Sequence, residues 1–222
     1  MRIDLHLHSP SSRDNGDSIT WESTIESIKK LYNDKVKMAS FTDHNTFNIN
    51  LYKESREIGK TGGIVFFPGL EINVVKNNGK IAHMLIIFPE TLNDGELEKI
   101  ADISKKILKN GISINNINDW YSDFKTIRII HIGKDDHFTH NDLAQLHYDA
   151  FEITNENHAN YLSVSKKGYI SSIVSFSDTH HWNKYPQCKE LITIIDDINE
   201  PTFESLKKCL SQNKRYYKNK YY

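Results

Sequence analysis

The sequence predicts an α/β fold in a single domain. Short apolar runs alternate with segments of helical periodicity along all 222 residues, which favours parallel strands joined by helices. The KNNGK stretch at 76–80 separates two apolar runs, and its Asn-Gly pair predicts one antiparallel hairpin. This length is sufficient for one hydrophobic core. We assign the main domain to residues 1–213 and a basic, aromatic C-terminal tail to residues 214–222.

The individual elements follow from these patterns. Apolar runs predict strands at 2–6, 36–41, 64–67, 70–75, 81–88, 127–132, 150–153, 170–176 and 191–195. Apolar side chains at helical spacing predict helices at 21–33, 47–58, 94–109, 141–147, 156–167 and 202–212. Thr20 is the candidate N-cap of the first helix, and Gly59 and Gly111 are candidates for the residues that end the second and third.

Composition and charge restrict the class of protein. The 28 basic and 29 acidic residues give a net charge of −1, which argues against binding nucleic acid through bulk charge but permits a local basic groove. Two distant cysteines indicate a reducing cytoplasm rather than a disulfide framework. No apolar run approaches the ~18 residues that span a bilayer, and no signal peptide is expected. We therefore expect a cytoplasmic protein that does not bind membranes.

Imidazoles and carboxylates recur where the predicted strands end. His6 and His8 close the first strand, and residues two apart in a strand share one face. Similar groups close or occupy five further strands: Asp43 and His44, Glu71, His83, His131, and Asp178 with His180 and His181. Each motif alone has an ordinary structural explanation, such as a core histidine or a helix cap. Their repetition in this order makes an accidental pattern a poor explanation.

These side chains predict a metal centre. The carboxyl ends of the strands of an α/β barrel converge on one face, where such barrels carry their active sites. Imidazole and carboxylate ligands suit Zn, Mn or Fe, and the candidate ligands exceed the needs of one ion. We therefore expect two or three divalent ions that share a bridging carboxylate.

The ordered motifs DLHLHS, TDHNT, PGLEI, IAHML, IIHIGK and SDTHH resemble those of the PHP (polymerase and histidinol phosphatase) family. The resemblance extends from Ile3 to about His181. It implies a distorted (β/α)7 barrel and a cluster of two or three metal ions that hydrolyses phosphate esters. The segments HSPSSRD and TFESLKKCL resemble the corresponding segments in one branch of this family, in which the PHP module accompanies an ATPase. The chain has no G-x-x-x-x-G-K-[ST] segment, so such an ATPase would be a separate polypeptide.

The resemblance also implies three sets of metal ligands. The first ion would be held by His6, His8, Glu71 and Asp178. Glu71 would bridge to a second ion, bound by His83 and His131. The third would be held by Asp14, His44 and His180, with Asp17 as the alternative to Asp14.

Other residues are candidates for contact with the substrate. Arg13 and Lys134 are candidate phosphate clamps, although charged side chains are commonly solvated at the surface. His181 could protonate the leaving group or contact substrate, and Asp43 could orient a ligand imidazole. A metal-activated water would attack a phosphate mono- or diester of a nucleotide or nucleic-acid end. The alternatives are a small-metabolite phosphatase, for example one acting on histidinol phosphate, and a metal-binding regulatory subunit of a separate ATPase.

Overall fold

A computed structural model describes residues 1–10, 21–107, 111–186 and 191–219. Arg13, Asp14 and Asp17 lie outside these ranges. None of the helices in the described ranges is long and apolar enough to cross a bilayer.

The described elements alternate between strands and helices for most of the chain. The strands are β1 (Arg2–Leu7), β2 (Val36–Phe41), β3 (Val65–Phe66), β4 (Gly69–Val75), β5 (Ile81–Ile87), β6 (Ile112–Ser113), β7 (Ile127–Gly133), β8 (Ala150–Ile153), β9 (Ser172–Val174), β10 (Leu191–Ile194) and β11 (Tyr217–Asn219). The helices are α1 (Trp21–Asn33), α2 (Ile49–Gly62), α3 (Asp94–Lys105), α4 (His140–Leu143), α5 (Ala159–Lys166) and α6 (Phe203–Leu210). A short 3₁₀ helix covers Trp182–Lys184.

Local chemistry explains the start of α3 and the end of α2. Asn93 caps α3 in a reciprocal capping box with Glu96. The prediction that Gly59 ends the second helix is wrong, because α2 continues to Gly62 and ends at Gly63, which has a left-handed φ of 65°. Gly59 is needed for a different reason: a Cβ there would lie 2.7 Å from the ring of Phe66. It allows α2 to pack closely on β3.

The strands form two sheets. The five-stranded sheet has the order β11-β10-β1-β2-β3, and the six-stranded sheet has the order β6-β4-β5-β7-β8-β9. The predicted hairpin is present, since β4 and β5 pair antiparallel and Gly79 has a φ of 78° in the turn. The mixed α/β fold in one domain is confirmed. The described strands do not form one closed barrel, so the (β/α)7 barrel is not confirmed.

Isolated bridges connect the two sheets near the ends of their strands. Leu7 at the end of β1 pairs with Thr179, and His44 after β2 pairs with Glu71 in β4. The backbone N–H of His8 also donates to the carbonyl of Thr179 at 3.0 Å. These contacts bring candidate ligands from both sheets to one place.

Part of the expected C-terminal tail belongs to the fold. Tyr216 is buried and its hydroxyl donates to the carbonyl of Cys209 at 2.7 Å, while β11 pairs antiparallel with β10. Lys214 and Lys218 pair with Asp197 and Asp196 at 3.1 and 2.8 Å. Within the described residues of this tail, β11 is therefore the outer strand of the five-stranded sheet.

Candidate metal centre

Successive side chains of β1 point to opposite faces of the strand, so its polar side chains share one face. Asp4, His6 and His8 are separated by Leu5 and Leu7, and all five side chains are buried. The two imidazole rings lie 5.4 Å apart. The first strand therefore brings two neighbouring imidazoles into the interior without exposing its apolar residues.

Glu71 lies at the centre of a group of five histidines. It is in β4, follows the Pro-Gly corner and is 1% exposed. Its Oε2 lies 3.3 Å from His6 Nε2, 3.3 Å from His8 Nε2 and 3.3 Å from His44 Nδ1, and its Oε1 lies 3.0 Å from His83 Nδ1 and 3.6 Å from His131 Nε2. The two oxygens of one carboxylate thus face different imidazoles.

Asp178 forms a second acidic contact with the same group. Its Oδ1 lies 3.3 Å from His6 Nε2, 3.5 Å from His8 Nε2 and 3.1 Å from His180 Nε2. The ring of His180 stacks on that of His8 with 3.9 Å between centroids. Asp178 has a left-handed φ of 51°, a conformation that Asp tolerates better than most residues.

The described residues fit divalent cations. Several buried atoms have no hydrogen-bond partner within the described part of the chain: His6 Nε2, His8 Nε2, His44 Nδ1, His131 Nε2 and Glu71 Oε2. A buried polar atom without a partner costs about 1–3 kcal/mol, so their convergence calls for a ligand. Four sets have ligand atoms within 4.8 Å of one another: His8, His44 and His180; His6, Glu71 and His131; His6, His8 and Asp178; and His44, Glu71 and His83.

The charges of the cluster shift the pKa values of its members in opposite directions. Burial raises the pKa of the Glu71 carboxyl, but His6 and the other imidazoles outweigh it and hold that pKa well below its usual range. Burial, and for His6 also Lys134, lowers the pKa values of His6 and His8; nearby carboxylates overcome this and raise them to about 10 and about 9. Burial lowers the pKa of His131 to about 4.

Sequence reasoning missed Glu152, which lies behind the cluster. It is fully buried in β8 and pairs in register with His131. Its Oε2 lies 3.0 Å from His6 Nδ1 and 3.3 Å from His131 Nε2. A single acid within the apolar stretch AFEI was the only signal in the sequence.

Three predicted substrate or orienting residues have different surroundings. Lys134 is buried, and its Nζ lies 3.2 Å from Glu152 Oε1 and 2.9 Å from Asp178 Oδ2. His181 is exposed and is not among the residues that line the cavity above the cluster. Asp43 accepts hydrogen bonds from the backbone and hydroxyl of Ser9 at 2.8 and 2.6 Å. It therefore fixes the chain after β1, whereas its distance to the nearest imidazole nitrogen is 3.9 Å.

A cavity of about 530 Å³ opens above the cluster. It is lined by His44, Glu71, His83, His131, Lys134, Asp135, Asp136, Thr154, Asp178 and His180. Asp135 and Asp136 are exposed, and they directly follow Lys134 in the loop after β7. Six of the candidate ligands therefore line the cavity, and the two exposed carboxylates of Asp135 and Asp136 lie on its wall with them.

No protein-family model matches the chain, and no curated protein matches it in sequence. A solved structure from Bifidobacterium adolescentis, provisionally assigned as a metal-dependent phosphoesterase, is similar over 95% of this chain and 96% of its own, with a TM-score of 0.58 and 11% identity. A two-domain protein of Bacteroides vulgatus, containing a predicted PHP-like metal-dependent phosphoesterase, is similar over 98% of this chain and 63% of its own, with a TM-score of 0.61 and 15% identity. The chain has a PHP-like fold.

A solved structure of an amidohydrolase of Chromobacterium violaceum with bound sulfate is also similar to this chain. That structure has a TM-score of 0.54 and 14% identity and covers 81% of this chain and 88% of its own. The resemblance drawn from the motifs is thus confirmed at the level of the fold. At these identities, the chemistry of this PHP-like chain has to be argued from its own residues.

Proposed function

We propose that this protein is a metal-dependent phosphoesterase of the PHP family. The single observation that carries the proposal is the buried Glu71 carboxylate, whose two oxygens face five imidazoles that lie in or directly after four different strands. The similar PHP-like structures, two of them linked to metal-dependent phosphoester hydrolysis, support this reading.

The first of the proposed ligand sets is one of the four groups of donor atoms, and the other two sets follow the motifs. His6, His8 and Asp178 would hold one ion, and Glu71 would connect it to another. As the motifs imply, His83 and His131 would bind the second ion, and His44 and His180, with Asp14 or Asp17, would bind a third. We propose two or three ions of Mn, Zn or Fe, because imidazole and carboxylate together suit these metals. Such ions lower the pKa of water and neutralise charge on a phosphoryl group.

The chain itself would supply position and access. His44 and His180 are each about 31% exposed and face the cavity, so they are the ligands nearest to an entering phosphate. Arg13 remains our proposed phosphate clamp, since its guanidinium can bond two phosphate oxygens. The exposure of His181 gives no support to a role in protonating the leaving group.

The arrangement of the strands supports a distorted barrel. β1, β2, β4, β5, β7, β8 and β9 follow one another, and the bridges Leu7–Thr179 and His44–Glu71 join the first and second sheets. We propose that these seven strands correspond to the seven-stranded barrel implied by the motifs. The barrel would be distorted at two seams, between β9 and β1 and between β2 and β4, where an isolated bridge replaces continuous strand pairing.

The cavity favours small phosphorylated substrates. Among the described lining residues, Lys134 is the only lysine or arginine, and it is already paired with carboxylates. Asp135 and Asp136 would repel a polyanion. We therefore rank phosphorylated metabolites and mononucleotides above nucleic-acid ends, and retain the latter as the second candidate.

The test is hydrolysis of p-nitrophenyl phosphate and bis-p-nitrophenyl phosphate with Mn²⁺, Zn²⁺ or Fe²⁺ and with chelator. Glu71→Gln should lose at least 100-fold in kcat/KM and lose bound metal, because the neutral amide removes the shared anionic ligand. Glu57→Gln, an exposed matched control on α2, should behave like the wild type. Full activity in Glu71→Gln, or equal activity with chelator, would contradict the proposal.

A panel of phosphorylated metabolites, mononucleotides, dinucleotides and single-stranded oligonucleotides would then assign the substrate class. The alternative of a regulatory subunit for a separate ATPase stays a prediction. Stoichiometric metal binding without turnover of any phosphate ester would favour that alternative over the phosphoesterase.

A further inference from the structure

Lys134 lies beside the candidate metal centre and also lines the cavity above it. It follows β7, its side chain is 7% exposed, and its Nζ contacts Glu152 at 3.2 Å and Asp178 at 2.9 Å. The same Nζ approaches His6 Nδ1 to 3.2 Å. A buried ammonium needs anionic partners, and both of its carboxylate partners belong to the cluster or support it.

The two oxygens of Asp178 face different groups. Oδ1 faces the imidazoles, at 3.3 Å from His6 Nε2 and 3.1 Å from His180 Nε2, whereas Oδ2 accepts a hydrogen bond from Lys134. Fixing Oδ2 fixes the plane of the carboxylate. Lys134 therefore determines where the other oxygen points.

Glu152 has the corresponding effect on His6. When His6 is neutral, as metal binding requires, a hydrogen bond from its Nδ1–H to Glu152, at 3.0 Å, selects the tautomer whose Nε2 carries the lone pair. That Nε2 is directed at Glu71 and Asp178. Lys134 in turn balances the charge of Glu152, which is fully buried.

We infer that Lys134 and Glu152 form a positioning pair that aims Asp178 Oδ1 and His6 Nε2 at the same metal ion. This inference rests on the proposed metal centre, and it replaces the role of Lys134 as a phosphate clamp. A clamp would bind phosphate through its Nζ, whereas the Nζ of Lys134, although it lines the cavity, is paired with two carboxylates.

The experiment compares Mn²⁺ affinity with substrate kinetics in Lys134→Met, Glu152→Gln and the double variant. Exposed residues on α3 provide the matched controls Lys99→Met and Glu98→Gln. We measure Mn²⁺ by equilibrium dialysis with elemental analysis, and kcat, KM and inhibition by inorganic phosphate at saturating Mn²⁺. Circular dichroism and thermal melting check that each variant folds.

A positioning pair predicts a 10–100-fold loss of Mn²⁺ affinity for at least one site in each single variant. At saturating Mn²⁺, KM and the inhibition constant of phosphate should stay within about threefold of the wild type. The double variant should fold better than Lys134→Met, because it leaves Glu152 neutral, yet should still bind Mn²⁺ weakly.

Other outcomes separate this inference from the proposed function. Wild-type Mn²⁺ affinity in both single variants overturns the positioning pair alone. A tenfold rise in KM and in the phosphate inhibition constant for Lys134→Met, with unchanged metal binding, restores the clamp and also overturns the pair. If Lys134→Met does not fold, the isosteric Glu152→Gln decides by the same affinity criterion. A wild-type protein that binds none of Mn²⁺, Zn²⁺ and Fe²⁺ overturns both proposals.

Discussion

Asp4 is a buried acid whose neutralisation should stabilise the protein at neutral pH. Burial raises the pKa of its carboxyl from 3.8 to about 6, against the opposing hydrogen bond from the backbone N–H of Ser177. Asp4→Asn keeps the acceptor for Ser177 and removes the buried charge. Because Ser177 precedes Asp178, this acceptor also anchors the backbone that carries a candidate ligand.

The size of the effect follows from the two pKa values. The folded protein binds the proton more tightly than the unfolded chain, so the contribution of Asp4 to stability is present below about pH 4 and is lost as pH rises through about 6. The difference between 3.8 and about 6 corresponds to a loss of about 3 kcal/mol at pH 7.5, and of about 1 kcal/mol at pH 4.5. The advantage of Asp4→Asn should therefore grow by about 2 kcal/mol between these pH values.

The assay is urea denaturation at pH 4.5, 6.0 and 7.5 with chelator present, so that metal ions do not contribute. Asp123→Asn, at an exposed position, is the control and should show no such trend. Asp4→Asn should retain Mn²⁺ affinity within about threefold. A variant whose stability relative to the wild type is the same at all three pH values would refute the reasoning.

Three further predictions concern the site. Trp182→Phe should weaken Mn²⁺ binding severalfold in equilibrium dialysis, because it removes the 2.8 Å hydrogen bond from the indole to the carbonyl of His8. Binding of Mn²⁺ at pH 7 should release about two protons, because the pKa values of His6 and His8 are raised to about 10 and about 9. An imidazole binds metal only after it has lost its proton. Calorimetry in buffers of different ionisation enthalpy measures the number of protons released. Replacing both Asp135 and Asp136 by Asn should lower KM for an oligonucleotide severalfold at low salt, with little effect on p-nitrophenyl phosphate.

Each of these has a clear contrary result. Trp21→Phe, at an exposed position, is the control for the tryptophan variant, and equal Mn²⁺ affinity in both variants would remove the role of the indole. Metal binding that releases no protons, and is equally tight at pH 6 and pH 8, would contradict the protonated imidazoles. An unchanged preference between substrates would show that the two carboxylates on the wall do not select against polyanions.

The convergence of the candidate ligands could be predicted because each of them lies at or near a strand end. Strand ends are visible in sequence as the point where an apolar run changes to polar residues, and the geometry of α/β folds then brings these ends together. His6, Glu71 and Asp178 were identifiable in this way. Their mutual distances were not, because these depend on the packing of the sheets.

Residues that act from behind the site leave a weaker signal. Glu152 is one acid in an apolar strand, and nothing local distinguishes a buried support from an exposed edge residue. The sequence indicates Lys134 as a candidate site residue, but the direction of its side chain depends on contacts with Glu152 and Asp178, which are distant in sequence. The end of α2 was misplaced for a related reason: Gly59 meets the ring of Phe66, a contact that no helix-stop rule contains.

The seam between the two sheets gives the candidate ions a second role. His6, His8 and His44 extend from the ends of β1 and β2 on one side, whereas Glu71, His83 and His131 belong to strands on the other. An ion shared across this boundary would act as a cross-link at the place where backbone pairing is sparse. Metal binding and contact between the two sheets would then be coupled. A bound cation would stabilise that contact, and removal of the cation by a chelator would weaken it.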